Sequence, residues 1–199
     1  CYAETMSARN RKTLGMWGPN GTRVVAAEAR WREPLKWNRS AAYSQIDHES
    51  ETNLDKDLGP YERPRVFCAS LADVFEDWLG RMVDAQGEQL YSVGDGNWLP
   101  AEKINRRAFP GFKPDCADGT FKVTMQDVRA RLFELIDQTP NLDWLLLTKR
   151  PENIARMMPP QHLTRYGGVV GERIRPNVWL GTTVENQQAA DERIPHLLK

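Results

Sequence analysis

The chain has 199 residues, 40% of them apolar and 27% charged, with 27 Lys plus Arg against 27 Asp plus Glu. This is an ordinary globular composition, enough for one good-sized core or part of a larger one. Apolar runs far short of the roughly 20 residues that cross a bilayer exclude a spanning helix, and the neutral balance excludes a molecule-wide pull on nucleic acid.

Charge is nevertheless uneven. Arg9, Arg11, Lys12, Arg23, Arg30, Arg32, Lys36 and Arg39 make the first forty residues basic, and Asp47 to Asp57 is acidic. Cys1, Cys68 and Cys116 stand too far apart for a disulfide framework and contain no complete metal-ligand spacing. With no charged-then-apolar leader, the expected setting is reduced and cytoplasmic. The chain opens at Cys1 rather than Met and stops at Lys199 in a segment still apolar at helical spacing (Ile194, Leu197, Leu198). It reads as a fragment truncated at both ends.

In chain order, Cys1 to about Thr13 lacks Gly and Pro and predicts a short helix with a basic outer face. Gly15 to Gly21 is a loop, with glycines around a proline. In Trp31-Arg32-Glu33-Pro34-Leu35-Lys36-Trp37-Asn38 the proline is expected to break any helix. The two tryptophans around it are expected to pack on the sheet or its rim, with base stacking the rival role. Residues 40–63 are polar and weakly patterned, and read as surface connection.

Arg65 to Ser70 is a strand with a β-branched and aromatic centre. Phe75, Trp78, Leu79, Met82 and Val83 then follow the spacing of an amphipathic helix. Residues 87–123 carry many turn signals and read as an insertion or a lid. A second helix from about Met125 to Gln138 buries Val128, Leu132, Leu135 and Ile136. Next come a strand at 143–148, a helix opened by Pro151, a break at Pro159-Pro160 and a loop at Gly167-Gly168. A strand at 177–182 and a helix from near Asn186 follow, with Pro195 opening a further helical turn.

Alternation of strands and helices predicts an α/β fold with a parallel sheet. The consecutive apolar runs Trp144 to Leu147 and Val178 to Leu180 suit strands buried on both faces. A partial parallel (β/α) barrel is the best fit, as a single incomplete domain over 1–199. An open doubly wound sheet is the rival, weakened because neither a dinucleotide fingerprint nor a phosphate-cradling loop is present.

In such folds ligands bind beyond the carboxyl ends of the strands, which singles out three clusters. Ser70-Leu71-Ala72-Asp73 with Glu76 reads either as a capping box or as ligand contact. In Thr148-Lys149-Arg150, two cations ahead of a helix N-terminus are poorly explained by capping and suit a carboxylate or phosphate. Thr182-Thr183-Val184-Glu185-Asn186 offers hydroxyls, a carboxylate and an amide, although Asn186 alone is an ordinary N-cap. His48, His162 and His196 form no metal spacing and read as solvated or structural.

Five motifs occur in one order: Cys1-Tyr2-Ala3-Glu4 before a helix, Trp31-x-x-Pro34-x-x-Trp37-Asn38, Ser70-Leu71-Ala72-Asp73, Leu147-Thr148-Lys149-Arg150-Pro151-Glu152, and Gly181-Thr182-Thr183-Val184-Glu185-Asn186-Gln187. Together they resemble the phage-associated three-cysteine-motif proteins. That family is of unknown function, occurs on bacterial and phage genomes, and is grouped with the radical S-adenosylmethionine superfamily. The resemblance covers most of the chain apart from 40–63 and 87–123.

The resemblance implies a barrel of radical S-adenosylmethionine type, with a 4Fe–4S cluster and S-adenosylmethionine as cofactors. Cys1 would be the last of three cluster cysteines, the other two and a downstream Gly-Gly-Glu segment lying outside this stretch. Three thiolates leave one iron open; in the superfamily S-adenosylmethionine binds there and is cleaved to a 5′-deoxyadenosyl radical. By this analogy Tyr2, Ser70, Asp73, Thr148, Thr183 and Asn186 face the cofactor, and Lys149, Arg150 and Glu185 are candidate catalytic groups at the mouth. The substrate is unknown, a nucleic-acid base or nucleoside being one class the basic start admits. The alternative is a non-catalytic barrel that binds a partner protein from an adjacent gene, with no membrane role in either case.

Overall fold

The computed structural model describes residues 2–18, 20–52, 59–68, 73–94, 97–114, 121–159 and 175–198. In chain order its elements are α1 (Tyr2–Arg9), α2 (Arg11–Leu14), β1 (Thr22–Val24), α3 (Glu28–Thr52), β2 (Arg65–Cys68), β3 (Arg81–Val83), β4 (Leu90–Ser92), β5 (Trp98–Pro100), α4 (Met125–Asp137), β6 (Asp143–Thr148), α5 (Ile154–Met157), β7 (Val178–Thr182) and α6 (Gln187–Leu197). Short 3₁₀ turns stand at Ala101–Lys103 and Pro151–Asn153. The fold is mixed α/β with small parallel sheets: β1 pairs β3, and β2, β6 and β7 lie side by side in that order. Among the described residues these sheets do not close into a barrel.

The chain divides into two compact units, one of Cys1–Trp31 with Asp77–Arg131 and one of Arg32–Glu76 with Leu132–Lys199. In the second, β6 is the central strand. Its period-2 pleat sends Trp144, Leu146 and Thr148 to one buried face. Phe75, Phe133, Ile136 and Leu142 are buried in the same unit. Thr139, fully buried, receives the Trp144 indole N–H at 3.0 Å and donates to Leu135 O at 2.7 Å, so the turn from α4 into β6 leaves no polar group stranded. Asn177 closes the same corner by donating to Thr139 O and Leu142 O.

The opposite face of this sheet departs from expectation. Phe67, Leu145 and Trp179 form one cross-strand row, yet Phe67 is 57% and Trp179 60% exposed. The strands are apolar on both sides but buried on only one, so this parallel sheet keeps an open apolar face among the described residues.

Two further expectations are corrected. Pro34 does not end a helix: α3 runs 25 residues straight through it and takes in much of the stretch read as connection. One absent N–H and some crowding of the Arg30 carbonyl cost a long helix only locally, and the Pro34 side chain is itself buried. The inward stripe of α3 is Pro34, Asn38, Ala41, Gln45 and His48, at helical spacing and mostly polar or small, with Leu35 half-buried beside it. Polar contacts hold it: Asn38 Oδ1 accepts the Asn141 N–H at 2.8 Å, and the Tyr61 hydroxyl donates to Ala41 O at 2.9 Å.

Nor do residues 75–83 form an amphipathic helix. Asp73 Oδ1 accepts the Phe75 N–H at 3.0 Å and turns the chain. Leu79 then points into solvent, 95% exposed, while Met82 and Val83 are buried in β3. The early helix is also split, into α1 and α2, at Asn10.

In the first unit, Val25, Met82, Leu90 and Val123 form a core against which Trp31, Trp78 and Trp98 pack. Trp31 meets Trp98 edge-on at 6.3 Å and is thus a packing residue, whereas Trp37 on α3 is 45% exposed. Residues 87–123 contribute the antiparallel pair β4–β5 and a second small cluster of Tyr91, Ile104 and Phe112. The helix at 125–137 and the strands at 143–148 and 178–182 lie where the sequence predicts them. Pro195 stays inside α6.

Candidate functional site at the carboxyl edge of the three-stranded sheet

Parallel pairing brings strand ends level. Thr148 of β6 stands opposite Thr182 of β7, and Thr148 O accepts both the Thr183 N–H at 3.2 Å and the Thr182 hydroxyl at 2.9 Å. Asp73, in the turn after β2, reaches the same edge. Its Oδ1 accepts the Thr148 hydroxyl at 2.7 Å as well as the Phe75 N–H. Its Oδ2 accepts the Lys149 N–H and an Arg150 guanidinium N–H, each at 3.0 Å. Four donors therefore converge on one carboxylate that is only 12% exposed.

Neighbouring bonds hold this knot in shape. Thr148 Oγ1, having donated to Asp73, accepts the Arg150 N–H at 2.9 Å. Arg150 also reaches Glu76 at 3.4 Å. Asn153, in the turn opened by Pro151, donates to Phe75 O at 2.9 Å. The helix-cap role expected of Asp73 is thus replaced by a tie between strand ends, since no helix follows it.

A second, more exposed cluster lies along the same edge. Lys149 Nζ meets Glu185 Oε1 at 2.5 Å, and Arg193 of α6 meets Glu185 Oε2 at 2.7 Å. Arg193 also donates to Thr183 O at 2.7 Å. Hydrogen bonds from Lys149 and then Arg193 hold the Glu185 carboxyl at about 2, well below its usual 4.5. Asn186 acts as the N-cap of α6, its Oδ1 accepting the Ala189 N–H at 2.8 Å. Thr183 Oγ1 is buried without a hydrogen-bond partner among the described residues, and such a hydroxyl is costly to leave unsatisfied.

Of the residues predicted for the site, Asp73, Thr148, Lys149, Arg150, Thr183, Glu185 and Asn186 come together at this edge. Cys1 and Ser70 lie outside the described residues. Tyr2 begins α1, and its side chain is not among those described. Both predicted cations are already paired, Lys149 with Glu185 and Arg150 with Asp73 and Glu76. Arg193 was missed by the sequence reading, and Glu76, read there with Asp73 as a capping pair or ligand contact, instead meets Arg150. Arg193 sits two helical turns past the Asn186 cap, a spacing that places it near the strand end, but nothing in its neighbours marks it.

Alternating charge at Lys149, Glu185 and Arg193 suits a ligand with both an anionic and a cationic or hydroxyl group, because each protein charge can trade its present partner for one on the ligand. For an iron–sulfur cluster the described residues offer no ligand set. Cys68 is the one described cysteine, and burial pushes its thiol up to about 11, so it stays protonated at neutral pH. No group of three or more His, Cys, Asp or Glu side chains is placed to hold a metal ion among the described residues.

Residues 101–199 match the model of a family described as a protein of unknown function, DUF5131. No curated protein and no solved structure matches the chain. No helix among the described residues is long and apolar enough to cross a membrane.

Proposed function

We propose that the carboxyl edge of β2–β6–β7 is the ligand-binding rim of a radical S-adenosylmethionine-like enzyme, on an arc of a parallel (β/α) barrel. The observation that carries this reading is the convergence of Asp73, Thr148–Arg150 and Thr183–Glu185 at one sheet edge, with the Thr183 hydroxyl left unpaired among the described residues. The open apolar face below that edge suits the inner wall of such an arc. Cys1 would supply one thiolate to such a cluster, whose chemistry would be one-electron reduction of the sulfonium.

The described residues bind and orient. Asp73 fixes the backbone at Lys149 and the Arg150 guanidinium, which makes it a positioning residue. Lys149 receives a carboxylate or phosphate oxygen. Glu185, ionised throughout the physiological range, receives an ammonium or ribose hydroxyl, and the Thr183 hydroxyl completes the contact.

The test is calorimetric titration with S-adenosylhomocysteine, which cannot undergo reductive cleavage at a sulfonium. Saturable binding that is weakened in Glu185→Gln and Thr183→Val is expected; absence of binding in the parent chain refutes the rim. Anaerobic reconstitution with iron and sulfide, followed by S-adenosylmethionine and dithionite, then separates the two classes of function. Absorbance near 400 nm with release of 5′-deoxyadenosine marks the enzyme. A colourless protein marks the rival reading, a non-catalytic barrel acting with a neighbouring-gene partner. One observation favours that rival: both strand-end cations are engaged in internal ion pairs.

A further inference from the structure

A different surface, wholly within the unit of residues 1–31 and 77–131, has the parts of a stacking platform. The loop from Gly15 to Thr22 is closed by two bonds, Met16 N–H to Thr22 Oγ1 at 3.0 Å and Thr22 N–H to Met16 O at 2.9 Å. Gly15, at φ 77°, lies so close to β1 that an added Cβ would sit 2.5 Å from Thr22 O. A Cβ on Gly21 would overlap Met16 O. The buried Ser7 hydroxyl donates to Gly15 O at 2.6 Å and ties α1 to the loop. Glycine and threonine thus close a tight, anchored loop rather than a loose one.

Next to the Met16 end of this closure stands Trp17, an indole left 50% exposed. Behind it the Arg23 guanidinium lies 5.7 Å from the Trp17 ring centre and 4.0 Å from that of Trp78, a ladder of ring, cation and ring. The Trp78 indole N–H is buried and has no acceptor among the described residues. Beside the loop, α1 and α2 carry Arg9, Arg11 and Lys12, all exposed, and α2 packs on β1. Over residues 1–31 there are five basic side chains against two acidic ones. Trp17 thus presents an aromatic face half open to solvent and backed by the Arg23 guanidinium.

We propose that this surface binds single-stranded nucleic acid. A base stacks on the open face of Trp17, and the phosphates run along Arg9, Arg11, Lys12 and Arg23. Charge complementarity selects a polyanion, and the exposed indole selects one with unpaired π-faces over a duplex. The inference is independent of the proposed cofactor rim.

The experiment is fluorescence anisotropy of the intact chain with a fluorescein-labelled oligothymidylate of about a dozen nucleotides, repeated with an abasic oligonucleotide of equal length. Saturable binding to oligothymidylate, weaker binding to the abasic strand, and a loss of about ten-fold in Trp17→Ala are expected. Trp17→Phe should bind nearly as the parent does. Arg11→Ala should lower the salt dependence of log K by about 0.7. Equal affinity for the abasic strand overturns stacking and needs no variant, so a folding defect in Trp17→Ala cannot obscure the answer. Absence of binding, or polyglutamate competing as strongly as oligothymidylate, overturns the nucleic-acid assignment.

Discussion

Removing the Asp73 carboxylate should loosen the sheet edge by an amount that can be worked out bond by bond. Thr148 is 2% exposed, so its hydroxyl proton, deprived of Asp73 Oδ1, is left without an acceptor at a cost of about 1–3 kcal/mol. Loss of the Phe75 N–H bond and of the Lys149 N–H bond adds about 0.5–1.5 kcal/mol each, not fully additively. The Arg150 bond contributes little, because that side chain is 41% exposed and such pairs give under about 1 kcal/mol. Asp73→Ala should therefore cost about 3 kcal/mol, a fall in melting temperature of roughly 6–12 °C at this chain length. Asp73→Asn can keep Oδ1 toward Phe75 and Thr148 but turns an amide toward the donors Lys149 N–H and Arg150, so about half the loss is expected. Thermal circular dichroism gives the global change, and hydrogen exchange at the Lys149 amide, which donates to Oδ2, gives the local one. If Asp73→Ala melts within about 2 °C of the parent and the Lys149 amide exchanges at the parent rate, the carboxylate does not tie the strand ends.

Glu185 titrates at about 2 in the folded chain against an ordinary 4.5; its folded value is depressed, so its contribution is present above pH 4.5 and lost as pH falls toward 2. The melting difference between parent and Glu185→Gln should vanish over that window, and an unchanged difference at pH 2 refutes it. Cys68, pushed from 9.0 to about 11, should carry roughly a hundredfold less thiolate at pH 8 than an ordinary cysteine. Peptide-resolved alkylation with iodoacetamide should show this as slow labelling, and labelling at the rate of free cysteine contradicts it. Phe67→Thr and Trp179→Thr should change stability by no more than about 0.5 kcal/mol, since both side chains stand in solvent; melting several degrees lower would mean that the face is covered. Lys149→Ala should weaken S-adenosylhomocysteine binding with an unchanged melting curve, whereas Arg150→Ala, which removes the contacts to both Asp73 and Glu76, should lower the melting temperature by a few degrees at most. The reverse order would exchange the roles of the two cations.

Large aliphatic side chains made part of this fold legible. α4 shows Val128, Leu132, Leu135 and Ile136 at helical spacing; its Thr124–Asp127 cap, with bonds of 2.8 and 3.3 Å, appears only in the structure. β6 and β7 show as apolar runs ended by polar clusters. α3 was not legible, because its inward stripe of Pro34, Asn38, Ala41, Gln45 and His48 is held by backbone and polar contacts that leave no hydrophobic period. Residues 75–83 misled for the converse reason: a good helical period was overridden by the Asx turn at Asp73 and by pairing of Arg81–Val83 with β1. At the site, the strand-end rule found Lys149 and Glu185, which do meet. It could not find Arg193, or the pairing of Glu76 with Arg150, because both depend on where the tertiary structure brings those side chains.

The two strand-end cations look equivalent in sequence and differ physically. Arg150 is held by a largely buried carboxylate that also receives three other donors, so a ligand that took Arg150 away would leave those bonds geometrically altered. Lys149 is 59% exposed and its partner Glu185 is 47% exposed with Arg193 as a second cation. A ligand carboxylate that displaces Glu185 from Lys149 leaves Glu185 still paired, and Glu185 can then turn to an ammonium or hydroxyl on the same ligand. The exchange conserves the number of ion pairs and exposes no new buried charge, so it costs little. Binding at this edge is therefore expected to pivot on Lys149 and Glu185, with Arg150 and Asp73 as the fixed frame against which that exchange takes place.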